Sequence, residues 1–200
     1  MSARDERSDQ ELMHAYVGGD VAAFRSLFER WTPSLLRVFW TAGPTEAQDL
    51  VQHTFLLLHR ARRDFHGDAP LRPWLLTIAL NVLREHWRKQ RRRPVVQLER
   101  EPVAEDSGQD ARIEQNVRDA ALRAALARLP RLQREVIMLH WFEDLGFAEI
   151  AEIVGATPGA VRVRAFRGYE QLRACFGGDA NERAREATSN VLPGSNRGMP

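Results

Sequence analysis

Residues 147–164 have the sequence Phe147-Ala148-Glu149-Ile150-Ala151-Glu152-Ile153-Val154-Gly155-Ala156-Thr157-Pro158-Gly159-Ala160-Val161-Arg162-Val163-Arg164. An apolar stripe at helical spacing, from Ile150 to Val154, predicts a short first helix. Gly155 permits a tight reversal of the chain, because glycine tolerates backbone conformations that other residues avoid. Thr157 is a good N-cap and Pro158 a good first residue for a second helix. The stretch therefore predicts a helix-turn-helix.

The predicted second helix is strongly basic. It contains four arginines and only one acid, Glu170; the arginines are Arg162, Arg164, Arg167 and Arg173. A basic second helix in a helix-turn-helix is typical of a DNA-recognition helix. The alternative is an ordinary pair of antiparallel helices whose basic face is solvated.

Helical geometry predicts which side chains of this second helix face outward. Four residues turn toward the core: Val161, Ala165, Gly168 and Leu172. Four others turn away from it, with Arg167 on the flank: Gly159, Arg162, Val163 and Phe166. Arg162 is suited to a guanine edge, and Val163 or Phe166 to a thymine methyl group. Arg164 lies nearer the inward side, which favours a phosphate contact or an ion pair.

Charge is distributed unevenly along the 200 residues, although the net charge is only +2. Residues 60–93 hold ten Lys or Arg and three acids, whereas residues 99–119 hold seven acids and three Arg. The first basic block and the basic second helix suggest two contacts with a polyanion. The acidic block between them contains prolines and a glycine and has little to bury, which indicates a flexible linker.

The sequence gives no support for an enzyme. Its six histidines show no metal-ligand spacing, and it contains no Walker loop, nucleophile elbow or plausible carboxylate pair. Cys175 is the only cysteine, which excludes an intrachain disulfide and a cysteine zinc cluster. No apolar run is long enough to span a membrane, and Met1–Gln10 does not resemble a signal peptide. We expect a soluble, cytoplasmic protein with no cofactor, no metal and no membrane insertion.

Helical periodicity dominates the rest of the chain and predicts an all-α protein. Asp20 caps a helix that Thr32-Pro33 either kinks or restarts. Thr45 with Gln48 matches a capping box that opens the next helix.

We expect two small helical domains. The first occupies residues 9–93 and the second, with the helix-turn-helix, residues 115–176. A flexible acidic linker, 94–114, joins them, and a polar tail, 177–200, is expected to be disordered.

Three blocks of sequence occur in a defined order. They are Ala47–Phe55, then Trp74–Asn81 followed by Arg84, Glu85 and Arg88, then Leu129-Pro130 with Arg134–Leu139 leading into the helix-turn-helix. In this order and spacing they resemble the extracytoplasmic-function (ECF, group IV) sigma factors of bacterial RNA polymerase. The resemblance covers roughly residues 9–176. It implies that residues 9–93 correspond to sigma region 2 and residues 115–176 to sigma region 4.

The resemblance implies that the first block docks on core RNA polymerase. This role carries over to Asp49, Leu50, Gln52 and Phe55. Packing in the core is the alternative for Leu50 and Phe55. Two other positions, 48 and 53, hold Gln and His where the family usually has acids, so the expected docking surface carries less negative charge.

The resemblance also implies that region 2 binds the −10 promoter element. A base flipped from the stack needs adaptable loop groups and flat surfaces, and the strand beside it needs a cationic track. The residues that match are Phe65, His66 and Asp68 in the loop, Asn81 on the helix, and Arg84, Arg88, Lys89 and Arg91 to Arg93 along the track. Trp74 is expected to lie in the core, and Leu80 stands where the family commonly has Arg.

Region 4 is implied to bind the −35 element through the second helix of the helix-turn-helix. The candidate residues are Gly159, Arg162, Val163, Phe166 and Arg167. The family usually has a small polar residue at position 163 and Ala at position 168. Gly168 is therefore expected to weaken this helix by up to ~1 kcal/mol.

The prediction is an alternative sigma factor that binds core RNA polymerase, recognises the −35 and −10 elements of promoter DNA and promotes melting. The resemblance further implies an anti-sigma factor as a partner. A stand-alone helix-turn-helix regulator is one alternative, but it leaves the blocks within residues 45–88 unexplained. An interaction protein whose helix 81–93 lies on an anionic membrane is another, although the apolar face of that helix is short.

Overall fold

The structure is a computed structural model and describes residues 5–66, 69–92 and 109–176, except for the side chains of residues 109–114. All regular secondary structure in these residues is helical, which confirms the all-α prediction. The predicted tail lies outside the described residues. So does the predicted linker, apart from residues 109–114, which form the beginning of a helix.

Eight α-helices follow one another in the described residues. They are α1 (Asp9–Val17), α2 (Val21–Val38), α3 (Pro44–Ala61), α4 (Leu71–Arg92), α5 (Gln109–Arg128), α6 (Arg131–Glu143), α7 (Phe147–Val154) and α8 (Pro158–Phe176). Short 3-10 turns, Trp40–Ala42 and Arg62–Asp64, precede and follow α3.

The chain divides into two compact units, and the main boundary along the sequence lies between α4 and α5; two short later segments, Phe142–Asp144 and Glu152–Val154, group with the first unit. In the first unit α1 packs on α2 and α3 packs on α4. Leucines dominate its fully buried core, which includes Leu12, Leu27, Leu35, Leu58, Leu75, Leu76, Leu80 and Leu83. On α4, Leu76, Leu80 and Leu83 lie four and three positions apart, as expected for a helix that buries one face.

Helix α2 is continuous through Pro33, so the restart allowed by the sequence is not observed. The Thr32 hydroxyl donates to the carbonyl oxygen of Phe28 at 2.7 Å, one turn earlier. Trp31 and Leu35, on either side of the proline, are both buried. The core contacts on both sides of Pro33 thus hold the helix together although proline supplies no backbone N–H.

The predicted capping box at the start of α3 is not formed. Helix α3 begins at Pro44, one residue before Thr45, and no side chain caps it. Its N-cap is Gly43, whose φ of 96° suits glycine. Proline at the first helical position costs no intrahelical hydrogen bond, which explains the earlier start.

A charge network that the sequence analysis missed ties the residues before α1 to α2. The Arg7 guanidinium donates to Asp5 Oδ2 at 2.7 Å and to Asp20 Oδ2 at 3.1 Å. Arg30 donates to the carbonyl oxygen of Asp5 at 2.7 Å and to Asp9 Oδ1 at 2.8 Å. The hydrogen bond from Arg7 holds the pKa of Asp5 well below its usual range, because it favours the charged carboxylate.

The helix-turn-helix of the second unit forms as predicted. Gly155 adopts the left-handed conformation at φ 66°, and the Ala156 N–H donates to the carbonyl oxygen of Ala151 at 2.9 Å. Thr157 caps α8, since its hydroxyl oxygen accepts from the Ala160 N–H at 3.2 Å. All four residues predicted to face inward are buried: Val161, Ala165, Gly168 and Leu172.

Candidate polymerase-binding and nucleic-acid interfaces

The exposed face of α3 carries part of the expected polymerase-docking surface. Asp49 and Gln52 are exposed, whereas Leu50 and Phe55 are buried, with 8% and 3% of their surface accessible. The Phe55 ring packs against Phe28 at a centroid distance of 4.7 Å. Leu50 and Phe55 therefore pack in the core, and neither side chain is available on the exposed face of α3.

Leu56 extends this exposed face, and the sequence analysis did not identify it. Its side chain is 46% exposed, which is unusual for a leucine on a helix that packs against two others. Leu56 lies four residues after Gln52 and seven after Asp49, so the three side chains share one face of the helix. That spacing was visible in the sequence, but nothing there distinguished Leu56 from the core leucines around it.

The loop before α4 presents only part of the predicted base-binding set. Phe65 is buried and packs against Trp74 at 5.3 Å and His14 at 6.3 Å, measured between ring centroids. It is therefore not available as a stacking platform, which corrects the prediction for that residue. His66 is exposed, and Asp68 lies outside the described residues.

An open groove lies between the end of α3 and the middle of α4. Its volume is about 360 Å³. Its lining residues are Leu57, Arg60, Ala61, Asp64, Ile78 and Asn81. Asn81 is exposed, and its side-chain oxygen accepts from Arg84 Nη1 at 3.1 Å. Only Asn81 of this lining was predicted as a site residue, because the other lining residues come from α3, the 3-10 turn after it and α4, which meet only in the folded chain.

The cationic track occupies the last turns of α4. Arg88, Lys89 and Arg91 are exposed and Arg84 is half-buried, while Arg93 lies outside the described residues. Lys89 Nζ pairs with Glu85 Oε1 at 2.9 Å, and this hydrogen bond lowers the pKa of Glu85.

Leu80, at the position where the family commonly has Arg, is fully buried. Its side chain therefore belongs to the core and offers no phosphate contact.

The outer face of α8 exposes the residues expected to meet DNA. Val163 and Phe166 are 51% and 52% exposed, and Gly159, Arg162 and Arg167 are exposed as well. Arg164 is half-buried, in agreement with its predicted position nearer the inward side. The Arg162 guanidinium lies over the ring of Phe147, with Cζ 5.9 Å from the ring centroid.

Neither a metal site nor a membrane span occurs in the part of the chain that the structure describes. No group of three or more His, Cys, Asp or Glu there has the arrangement of a metal site. None of the helices there is both long enough and apolar enough to cross a bilayer.

Comparison with known proteins bears on both units. Residues 27–93 match sigma-70 region 2, and residues 119–172 match sigma-70 region 4. The RNA polymerase sigma factor CarQ of Myxococcus xanthus is 34% identical over 171 residues, which cover 82% of this chain and 95% of CarQ. The chain belongs to the ECF sigma factors of RNA polymerase.

A further relative agrees with this membership, and solved structures share the fold. The ECF RNA polymerase sigma factor SigM of Mycobacterium tuberculosis strain H37Rv is 33% identical over 177 residues, covering 87% of each chain. Among solved structures, CnrH in complex with the cytosolic domain of CnrY superposes with a TM-score of 0.68 at 27% identity, covering 86% of this chain and 98% of that one. The sigma factor RpoE of Bartonella quintana, solved with the anti-sigma factor NepR, shares the fold with a TM-score of 0.60 at 24% identity, covering 80% of this chain and 99% of that one.

This protein is therefore an alternative sigma factor, a class that binds core RNA polymerase and recognises promoter DNA. The stand-alone helix-turn-helix regulator is not favoured, since region 2 is present beside region 4.

Proposed function

We propose that this sigma factor docks on core RNA polymerase through α3, binds the melted −10 element through the groove and basic end of α4, and binds the −35 element through α8. Residues 9–93 then act as region 2, residues 115–176 as region 4, and residues 94–114 as the linker between them. The observation that carries the proposal is the placement of Asn81 beside an open groove on the same helix as an exposed run of basic residues.

The groove is suited to a base extruded from single-stranded DNA. Leu57 and Ile78 provide apolar surface, while Arg60, Asp64 and Asn81 provide hydrogen-bonding groups. A flipped base needs this combination of an apolar contact and polar groups for its edge.

The basic end of α4 is suited to the phosphates beside that base. Arg88 and Arg92 lie seven and eleven residues after Asn81, so all three share one face of α4 over roughly 16 Å. The arginines on this face offer a track for the backbone of a strand whose base enters the groove.

The docking surface comprises Asp49, Gln52 and Leu56. It combines a carboxylate and an amide with an exposed apolar side chain, and an apolar centre with a polar rim is typical of protein interfaces. Because Leu50 and Phe55 anchor the opposite face of α3 in the core, the helix presents this surface without changing its own packing.

We infer that the protein itself is not an enzyme and works in the cytoplasm, where the polymerase supplies the chemistry of RNA synthesis. We also infer that an anti-sigma factor covers the α3 surface together with part of region 4, which would keep polymerase away. A purified candidate inhibitor should then compete with core polymerase for the wild-type protein. It should bind Asp49→Ala and Gln52→Ala variants more weakly.

Transcription with purified core polymerase tests the proposed −10 site. On a promoter library randomised across the −10 element, Asn81→Ala should relax base preference at a single position. Arg88→Ala should instead lower transcription from all members alike. Asn116→Ala, an exposed asparagine on α5, is the matched control and should behave as wild type. An Asn81→Ala profile identical to that of the control contradicts the proposed site.

Binding to DNA without polymerase tests the alternative function. The free protein should show only weak, salt-sensitive binding to duplex promoters. Nanomolar, sequence-specific binding of the free protein would instead support the stand-alone regulator.

A further inference from the structure

Phe147, the first residue of α7, brings together two side chains from other helices. Its ring is half-buried. The His140 ring of α6 stacks on it with a centroid distance of 4.9 Å and an interplanar angle of 30°. The Arg162 guanidinium of α8 lies over it at 5.9 Å. The three side chains thus link α6, the first helix of the helix-turn-helix and the recognition helix.

The His140 end of this arrangement is fixed to the backbone. His140 Nδ1 lies 2.8 Å from the carbonyl oxygen of Leu145. A carbonyl oxygen can only accept, so Nδ1 carries the proton and donates. Leu145 is itself buried, with 2% of its surface accessible. The imidazole is therefore held in place, and it supports the Phe147 ring that stacks on it.

The Arg162 end faces solvent and lies on the outer side of α8. Its side chain contacts the Phe147 ring. In the described part of the second unit, ion pairs join Arg131 to Glu135 and Arg173 to Glu170 and do not involve Arg162. A phenylalanine ring has no nitrogen or oxygen acceptor, so the contact satisfies none of the five N–H donors of the guanidinium with a conventional hydrogen bond. The contact therefore restrains the long Arg162 side chain while leaving its donors available.

We infer that Phe147 is a positioning residue for Arg162, which it holds in an orientation ready to bind a guanine edge in the −35 element. Bidentate arginine–guanine recognition depends on the direction of the guanidinium fork. A side chain already restrained in that direction loses less conformational freedom when it binds. The inference rests on the proposed role of Arg162 in reading this element.

The energy of an exposed cation–π contact sets the expected size of the effect. Such contacts correspond to about a two- to fivefold change in an equilibrium. Phe147→Leu should therefore reduce transcription by about two- to fivefold on promoters that carry the base read by Arg162. Promoters that lack this base should show no loss.

The experiment uses holoenzyme and a promoter library randomised across the −35 element with a constant −10 element. Five variants are compared with wild type: Phe147→Leu, Phe147→Tyr, Arg162→Ala, the double variant Phe147→Leu/Arg162→Ala, and Phe176→Leu. Tyrosine keeps the aromatic face and should preserve the preference. Phe176 is an exposed phenylalanine at the end of α8, the helix that carries Arg162, so Phe176→Leu is the matched control.

Support for the inference requires that Phe147→Leu and Arg162→Ala relax preference at the same base pair. The double variant should then lose no more than Arg162→Ala alone. If the role of Phe147 is purely structural, Phe147→Leu should lower transcription equally on all sequences, and its effect should add to the loss from Arg162→Ala. That result overturns the inference. Increased transcription by Phe147→Leu also overturns it, because the ring would then hold Arg162 away from DNA.

One further outcome separates this inference from the proposed function. If Arg162→Ala leaves preference unchanged at every position, the assignment of Arg162 as a reader fails and the positioning role fails with it. If Arg162→Ala relaxes one position and Phe147→Leu relaxes none, only the positioning role is overturned.

The NMR signal of Arg162 Nε–H in the free protein provides an independent measurement. Its chemical shift should change in Phe147→Leu and remain near the wild-type value in Phe147→Tyr. The same chemical shift in wild type and both variants would show that the contact is not formed.

Discussion

The Cδ1 atom of Ile137 in α6 occupies the space that a side chain at Gly168 in α8 would need. A Cβ atom at position 168 would lie 2.4 Å from Ile137 Cδ1 and 3.3 Å from the Cβ of Gln133. Glycine therefore permits close approach of the recognition helix to α6. The lower helix propensity expected for Gly168 is offset by this packing.

Gly168→Ala should destabilise the second unit by about 1 kcal/mol. Alanine gains up to ~1 kcal/mol of helix propensity, but overpacking a buried contact costs about 1–3 kcal/mol. Ile137→Val removes the clashing methyl group, so in that background Gly168→Ala should become neutral or stabilising. Hydrogen exchange of the buried amides of α8 measures both effects. Equal effects of Gly168→Ala in the two backgrounds would show that the contact does not govern this position.

Substitutions on α8 and on α4 should affect promoter binding differently, because α8 is proposed to contact bases and α4 to contact phosphates. Arg162→Ala should cost about 1–3 kcal/mol on promoters with the native −35 base and much less on promoters that lack it. Combined replacement of Arg91 and Arg92 by Ala should weaken binding on all promoters and reduce the slope of log affinity against log salt by about one per lost phosphate contact. Fluorescence anisotropy of holoenzyme on labelled promoters at several salt concentrations measures both quantities. Sequence-independent losses from Arg162→Ala would contradict its assignment.

Leu56→Asp should weaken binding to core polymerase by about tenfold or more, because a charge would replace an exposed apolar side chain at the proposed docking surface. The same substitution at Leu132, which is 39% exposed on α6, is the matched control. Binding of each variant to immobilised core polymerase, with circular dichroism as a check on folding, measures the effect. Equal affinities of the two variants would remove Leu56 from the docking surface.

Acid should remove the stabilisation contributed by Asp5. Its folded-state pKa lies below its unfolded value of about 3.9, chiefly because Arg7 hydrogen-bonds the carboxylate. The contribution is therefore complete above about pH 4 and is lost as pH falls toward the folded pKa. Thermal unfolding should give wild type a higher Tm than Asp5→Asn at pH 7, and this difference in Tm should disappear below about pH 4. In an Arg7→Ala background, Asp5→Asn should lower the Tm by less. A Tm difference that does not depend on pH in the wild-type background would contradict the proposed role of this network.

Local sequence patterns were sufficient wherever short-range chemistry decides the structure. The turn at Gly155, the cap at Thr157 and the inward face of α8 depend on backbone preference and helical spacing, and all three were predicted. The capping box at Thr45 was not formed, since two adjacent start signals competed and Pro44 began the helix. Such competition shifts an element boundary but leaves the element itself in place.

The sequence by itself determined the helical architecture, the helix-turn-helix and the family, because these depend on periodicity and on motifs of neighbouring residues. Only the tertiary structure decided which motif residues reach the surface. Phe65 and Phe55 are buried in aromatic contacts with distant residues, while Leu56 is left exposed on the outer face of α3. Only the tertiary structure brought α3 beside Asn81, Ile137 against Gly168, and Phe147 under Arg162. The physical reason is that these contacts join residues from different helices, and no helical period relates residues across a turn.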